Sequence, residues 1–389
     1  MTVPPTFLDV SGDRFVATYD LAGPLDAARG RAEAIAVEQT IEFPADLVAD
    51  DDIRGHLIGR IESLLETGPA SVRTRISYAV ETASGELPQL LNVIFGNCSL
   101  LPGVRLVGLD LPSGLTGPFP GPRFGTAGLR HLLHVGDRPF LATALKPMGL
   151  SSKALAGIAR TLARGGVDLI KDDHSLANQP FAPFADRVRA CAEAVRTANA
   201  ETGGHSIYMP ALNGPADEIA ARAHLAKDAA AGGLLVLPGL AGLDVVRWLA
   251  TSDAINLPIM VHPAFMGSLV VGAEAGIEHG VLFGTIFRLA GADLCVFPSY
   301  GGRFSFAREA CRSIADACRA PFDGRPAIVP APGGGMTVNR VGELLAFYGP
   351  DTALLVGGDL HRGDLLANVQ RMRAAVEVRA PEAHSGGGG

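Results

Sequence analysis

From about His131 onward the sequence repeats one unit eight times: a short apolar run, a loop, then an amphipathic helical stretch. The apolar runs are 140–145, 167–171, 206–210, 234–238, 258–262, 293–297, 327–331 and 353–357, and runs of this length read as buried strands. Between them Leu155, Ile158, Ala159 and Leu162 form one helical stripe, with Ser151 or Ser152 as its N-cap. Val341, Leu344, Leu345 and Tyr348 form another after Thr337. Eight such units in roughly 250 residues predict a (β/α)8 TIM barrel. A doubly wound open sheet is the alternative. It would carry Gly-x-Gly-x-x-Gly after its first strand, and that pattern is absent.

In a barrel the functional groups sit at the carboxyl ends of the strands. Here strand one ends in Lys146-Pro147-Met148-Gly149, strand two in Lys171-Asp172-Asp173-His174, and strand five in His262-Pro263. Strand six runs into Pro298, Ser299, Tyr300, Gly301, Gly302 and Arg303. Four ionisable residues directly after an apolar strand are hard to explain as packing. Strand alternation sends Lys171 and Asp173 one way and Asp172 the other, and the loop can swing His174 back toward them. That predicts a cation site with oxygen and nitrogen ligands. Strand seven ends in Gly333, Gly334 and Gly335 and strand eight in Gly357 and Gly358, each before a helix start. Paired glycine turns of this kind offer backbone N–H groups to a phosphate.

The first 122 residues lack the alternation. Strands over 13–21 and 33–43 are expected to flank a helix starting near Pro24, followed by a helix over 51–65 and strands over 71–78 and 90–95. The simplest account is a ferredoxin-like βαββαβ domain, α+β in class. Stretch 112–123, with four Pro and three Gly, is the expected linker. The expected division is thus 1–122 for the α+β domain, 123–380 for the barrel and 381–389 for a Gly-rich flexible tail. The net charge of −7, without a basic run, argues against nucleic acid as a partner. No charge-free apolar stretch reaches about 18 residues and no signal-peptide pattern opens the chain, so a soluble, cytoplasmic protein with no membrane partner is expected. Five scattered cysteines lack metal-type spacing; Cys311 and Cys318, seven apart, share a helix face and read as core.

Several of these motifs occur together in one family. Phe95-Gly96-Asn97, Lys146-Pro147, and 165–173 (Gly-Gly-Val-Asp-Leu-Ile-Lys-Asp-Asp) followed by Asn178-Gln179-Pro180-Phe181 resemble the ribulose-bisphosphate carboxylase large-subunit superfamily. The resemblance covers nearly the whole chain and points to the non-carboxylating RuBisCO-like (form IV) members. It implies that Lys171 takes up CO2 as a carbamate and binds Mg2+ with Asp173 and a following Glu. His174 stands in place of that Glu, which shifts the expected metal toward Mn2+ or Zn2+ or makes His174 an acid/base group. The resemblance further assigns proton transfer to Lys146 and substrate contact to Asn97 and His262. It also implies a homodimer in which Glu38 and Asn97 come from the neighbouring subunit.

Carboxylase features are missing. Met148 replaces the second lysine of Lys-Pro-Lys, and Val296, Phe297, Pro298 and Ser299 stand where His-Ser-Gly-Thr is expected. A short Gly301-Gly302-Arg303 turn replaces the mobile lysine loop; Arg303 could bind an anion but is no substitute for that lysine. Phe43 and Pro44 follow Glu38 in place of the family's Thr and Trp, so one phosphate contact of a bisphosphate is lost. The expectation is a metal-dependent enolising enzyme on a small phosphorylated sugar or keto-sugar acid, not a CO2-fixing carboxylase. Loss of the Glu ligand tilts it toward decarboxylation or cleavage of the 3-oxo-isoapionate 4-phosphate type. The alternatives are a methylthioribulose-phosphate isomerase or enolase of methionine salvage, a barrel enzyme with Lys171 itself as base or Schiff-base former, and a non-catalytic sugar-phosphate-binding protein.

Overall fold

The computed structural model describes residues 8–304 and 306–377, so the expected tail at 381–389 and the last residues of the barrel span lie outside the described residues. Hydrophobic alternation builds the N-terminal sheet. In β1 (Arg14–Ala22) Phe15, Ala17, Tyr19 and Leu21 are fully buried and the residues between them are not. With β2 (Arg60–Gly68), β3 (Ser71–Ala79) and β4 (Val104–Asp110) it forms an antiparallel sheet in the order β4-β1-β3-β2. Helix Leu25–Glu38 follows β1 and helix Leu87–Phe95 follows β3. The chain order is βαββαβ, so the ferredoxin-like expectation holds.

Three local expectations fail. Stretch 33–43 is no strand, because the Ala-rich run extends helix Leu25–Glu38, and Ala28, Ala32, Ile35 and Ala36 bury one face. Stretch 90–95 belongs to helix Leu87–Phe95: Pro88 sits in its first turn, and Leu87, Leu90, Val93 and Ile94 turn inward at helical spacing. The helix expected over 51–65 splits into a turn at Ile53–Leu57 and strand β2. Pairing of Ile61 with Ile76 on β3 outweighs its helical periodicity. Gly59 marks the change, since a Cβ there would lie 2.9 Å from the Ala36 Cα.

The C-terminal part contains β5 (Phe140–Leu145), β6 (Leu169–Asp172), β7 (Ile207–Met209), β8 (Leu234–Val236), β9 (Ile259–Val261), the two-residue β10 (Gly276–Ile277), β11 (Leu294–Pro298), β12 (Val329–Gly333) and β13 (Ala353–Val356). All but β10 form a parallel sheet in the order β7-β6-β5-β13-β12-β11-β9-β8. Bonds from Gly232 N–H to the Tyr208 carbonyl (3.0 Å) and from Leu235 N–H to the Pro210 carbonyl (2.9 Å) join β8 to β7 and close the barrel. The predicted TIM barrel is therefore present.

Its interior is a packed cluster that includes Phe140, Ala142, Leu169, Met209, Met260, Val296, Val329, Ala331 and Ala353, together with Leu129 and Leu133 of helix Gly125–Leu133. The alternate strand residues Leu141, Leu145, Ile170, Tyr208, Val261 and Phe297 face the larger outer core. β10 pairs in parallel with β4 and ties the barrel to the N-terminal sheet. Stretch 112–123 is pinned rather than loose. Phe119 is buried, and the Ser113 and Thr116 hydroxyls donate to Asp323 at 2.7 and 2.6 Å. All five cysteines are buried and unpaired, Cys311 and Cys318 on one face of helix Arg308–Arg319 as expected.

Candidate active site

Strand alternation carries three side chains to the same place. Phe140, Ala142 and Ala144 of β5 lead to Lys146, Leu169 of β6 leads to Lys171, and Met260 of β9 leads to His262. Each lies two residues along from an inward-facing one, at the carboxyl end of its strand. The three meet around Asp173. Lys146 Nζ lies 3.3 Å from Asp173 Oδ2, Lys171 Nζ lies 4.0 Å from Oδ1, and His174 Nδ1 lies 3.2 Å from Oδ1. The His174 and His262 rings stack with centroids 4.5 Å apart and planes 14° from parallel.

Burial and charge set the electrostatics. Burial of Lys171 brings its pKa down to about 8; Asp173 opposes the shift and Lys146 adds to it. Burial alone would raise the Asp173 carboxyl, but the His174 hydrogen bond and the Lys171 and Lys146 charges outweigh it and hold the group well below the carboxylate range. His262 is pushed well below its ordinary value, first by burial and then by the neighbouring Lys171 and His174. Its Nδ1 accepts the Ala264 N–H at 3.2 Å, which leaves Nε2 as the protonated nitrogen of a neutral ring.

Asp172 faces outward, as alternation requires, and is structural. Its carboxylate accepts Arg187 Nε at 3.1 Å, the Tyr208 hydroxyl at 2.8 Å and the Ala211 N–H at 3.1 Å. Burial pushes this carboxyl up, and the Arg187, Tyr208 and Ala211 donors pull against that shift. Arg187, also fully buried, donates to the Ala182 and Ala177 carbonyls at 2.8 and 2.7 Å. Gln179 bridges Ser175 and Ala177 within the loop, and Asn178 accepts the Phe184 N–H at 2.8 Å. The motif after the ionisable run is thus the frame that fixes His174, whose carbonyl accepts Asn213 Nδ2 at 2.7 Å. Sequence reading missed Arg187, although an arginine within the apolar stripe Phe184, Val188, Cys191 signals a buried partner.

The glycine turns divide by role. A Cβ on Gly302 would lie 3.1 Å from the Gly334 carbonyl carbon, so the β11 and β12 turns pack backbone to backbone. Gly334 and Gly335 have φ of +93° and +67°. Gly357 and Gly358 have open space where a Cβ would stand. Gly333 and Gly357 continue the inward files of β12 and β13 and so face the barrel mouth. His361, from the same β13 turn, has a buried Nε2 without a partner among the described residues, and Lys146 is one of the charges acting on its ring.

Other expected residues stand apart from this cluster. Asn97 Nδ2 donates to Glu38 Oε1 at 2.9 Å on an exposed face of the N-terminal domain. Beneath them Gln39 donates to the Asn92 and Val93 carbonyls and accepts the Cys98 N–H at 2.7, 2.9 and 2.9 Å. Neither Glu38 nor Asn97 bonds to a barrel residue among the described residues. Arg303 is exposed, its guanidinium 4.7 Å from the Phe304 ring.

The donor set limits what metal chemistry fits. Among the described residues no group of three or more His, Cys, Asp or Glu side chains converges. Asp173 and His174 alone are a thin set for a hard dication, which prefers six or more oxygens. Lys171 stands beside Asp173, and as a carbamate it would supply the missing anionic oxygens. The residues therefore fit a divalent cation with Lys171 in that form.

Comparison with known proteins agrees with this arrangement. The family model for the ribulose bisphosphate carboxylase large chain, catalytic domain, matches residues 125–382. The chain is 38% identical over 349 residues to the 5-methylthioribulose-1-phosphate isomerase of Rhodospirillum rubrum, covering 90% of this chain and 91% of that protein. It is 35% identical to the 2,3-diketo-5-methylthiopentyl-1-phosphate enolase of Geobacillus thermodenitrificans, covering 93% and 92%. The crystal structure of a Rubisco-like protein from Rhodopseudomonas palustris superposes with a TM-score of 0.83 at 40% identity, covering 93% of this chain and 97% of that one. No described helix is long and apolar enough to cross a membrane.

Proposed function

The chain belongs to the ribulose bisphosphate carboxylase large-chain family, on its RuBisCO-like branch, and from that membership we propose that it enolises a small phosphorylated ketose. The observation that carries this reading is the pair of lysines around Asp173, with a neutral histidine beside them, at the mouth of the barrel. Enolisation needs a base at a carbon next to a carbonyl and a donor for the oxygen that becomes electron-rich. Lys146, with Nζ at the mouth, takes that proton in its neutral amine form and returns it to the neighbouring carbon. The electrons of the broken C–H bond form the carbon–carbon double bond as the carbonyl oxygen takes a proton from His262, whose Nε2–H is the fitting donor. When the first proton returns to the neighbouring carbon, the hydroxyl on the carbon that lost it gives its proton back to His262 and becomes the new carbonyl.

Asp173, carbamylated Lys171 and His174 would hold the cation, Mg2+ or, given the imidazole, Mn2+. When bound, it supplies Lewis-acid polarisation of adjacent substrate oxygens. The backbone of Gly333, Gly334, Gly357 and Gly358 would receive one phosphate. The two relatives are named for five-carbon methylthio substrates rather than a branched sugar acid, which moves the reading from the sugar-acid branch to a 5-methylthioribulose 1-phosphate type of isomerisation. A dimer with shared sites is supported by the exposed Glu38–Asn97 pair and by exposed Phe43, Leu100 and Leu101 nearby in sequence.

The test is deuterium wash-in from solvent on a panel of phosphorylated ketoses and keto-acids with Mg2+ or Mn2+. Exchange at a carbon next to the carbonyl, abolished in Lys146→Met, is the expected outcome. Folded protein that exchanges nothing on any panel member would leave a binding protein instead.

A further inference from the structure

Three residues beyond His262 the backbone adopts a conformation its side chain does not favour. Phe265 has φ of +70° and 78% of its surface exposed. It is the third residue of a turn closed by a bond from Met266 N–H to the Pro263 carbonyl at 3.0 Å, the position at which type II turns favour Gly. The turn is held from two sides. The Ala264 N–H is fixed on His262 Nδ1, and Ala264, Phe265 and the buried Met266 lie against Gly239 of the β8 loop, where a Cβ would come within 2.6 Å of the Ala264 carbonyl oxygen. A glycine would relieve the backbone and expose no ring. Phe265 thus carries two penalties in the free chain, backbone strain and a ring in water, at the edge of the site.

The geometry points to Phe265 as a specificity residue: an apolar wall for the end of the substrate remote from its phosphate. Round the barrel, β8 stands four strands from β13 and β9 three, so the Phe265 turn lies across the mouth from the Gly357–Gly358 backbone. The Lys146, Lys171 and Asp173 cluster comes between. A ligand with its phosphate at the β13 glycines and its reacting carbons at that cluster extends its far end toward β8 and β9. An alkyl or alkylthio group there is covered by the ring, whereas a charged or hydroxylated end gains nothing from it. This rests on the enolisation reading and adds to it the chemistry of the substrate's second end.

The variants Phe265→Gly and Phe265→Leu, compared on ribulose 1-phosphate and its 5-deoxy-5-methylthio derivative, decide the matter. Phe265→Gly is expected to melt no lower than the parent, because the strain is gone. It should lose roughly 10-fold in kcat/KM on the methylthio substrate, mainly through KM, and stay within about 2-fold on the hydroxylated one. Phe265→Leu should recover most of the loss. Equal effects on both substrates, or a raised dimer dissociation constant with the substrate ratio unchanged, would overturn the assignment. If the parent protein enolises neither substrate, the enolisation reading fails. The wall is then decided by the Kd values of the unreactive pentitol 1-phosphates with and without the methylthio end, where an unchanged ratio in Phe265→Gly sinks it.

Discussion

Lys146 and Lys171 face each other across a single carboxylate, the first 3.3 Å from one oxygen of Asp173 and the second 4.0 Å from the other. One anion stands between two ammonium groups, and the deeper one, Lys171, is only 2% exposed. Burying a charged amine is unfavourable unless it is paired, and a half-share of Asp173 does not offset it. The free protein therefore holds Lys171 as an amine close to losing its proton, which a carbamate-forming lysine requires.

Stability should register this. Lys171 falls from an unfolded value of 10.5 to about 8, so between those limits the unfolded chain binds more protons than the folded one and stability rises with pH. Below pH 8 both states are charged and the penalty is full; above 10.5 it is gone. Lys171→Met, which removes the amine, should be more stable than the parent at pH 7 by on the order of 3 kcal/mol at most. The difference should shrink from pH 8 to 10.5 in paired denaturant titrations. A difference that stays flat across that window would mean that Lys171 is not held as a buried cation.

Carbamate formation consumes the neutral amine. At fixed dissolved CO2, its initial rate should rise about 25-fold from pH 6.5 to pH 8.5 for a group of pKa about 8. Trapping the adduct and sequencing the Lys171 peptide by mass spectrometry measures the rate directly. An adduct that forms equally fast at both pH values, or only on exposed lysines, would count against Lys171 as the carbamate site.

The barrel was legible because its signal is repeated: eight apolar runs each appear as a strand within a residue or two of where they were expected. The inward file was legible too, since alternation alone carries Lys146, Lys171 and His262 to one rim. Single-copy signals fared worse. The stretch around Leu90 and Val93 reads as a strand until helical packing against β1 decides otherwise, and Tyr19, whose hydroxyl donates to the Ile94 carbonyl at 2.7 Å, lies 75 positions away. The braces were invisible for the same reason. Gln39 and Arg187 act through backbone carbonyls, which leave no mark in a sequence.

Arg187 should therefore be more important to folding than any charged residue at the rim. Replacing it with Met strands the Asp172 carboxylate, fully buried, with only the Tyr208 hydroxyl and the Ala211 N–H. Removing one partner of a buried pair destabilises by about 3–5 kcal/mol. Arg187→Met should accordingly give insoluble protein or a strongly lowered melting temperature. Arg187→Met with Asp172→Leu should regain part of the loss. A single variant melting near the parent would show that water or a neighbouring donor takes over.

The Glu38–Asn97 pair is made 2.9 Å apart within one chain, yet among the described residues neither member bonds to the barrel cluster of that chain. A site shared between subunits makes a sharp prediction about mixtures. Asn97→Ala should lose most activity through loss of the proposed substrate contact, and Lys171→Ala through loss of the proposed carbamate. When the two are co-expressed, a mixed dimer pairs the intact barrel of the Asn97→Ala chain with the intact N-terminal domain of the Lys171→Ala chain. Its other site carries both lesions. Random assortment puts half of the chains in mixed dimers with one working site in two, so roughly a quarter of the parent activity should return. Native mass spectrometry establishes that the mixed dimers have formed. With those present, activity no higher than the average of the two variants would place Asn97 in its own chain's site and remove the argument for sharing.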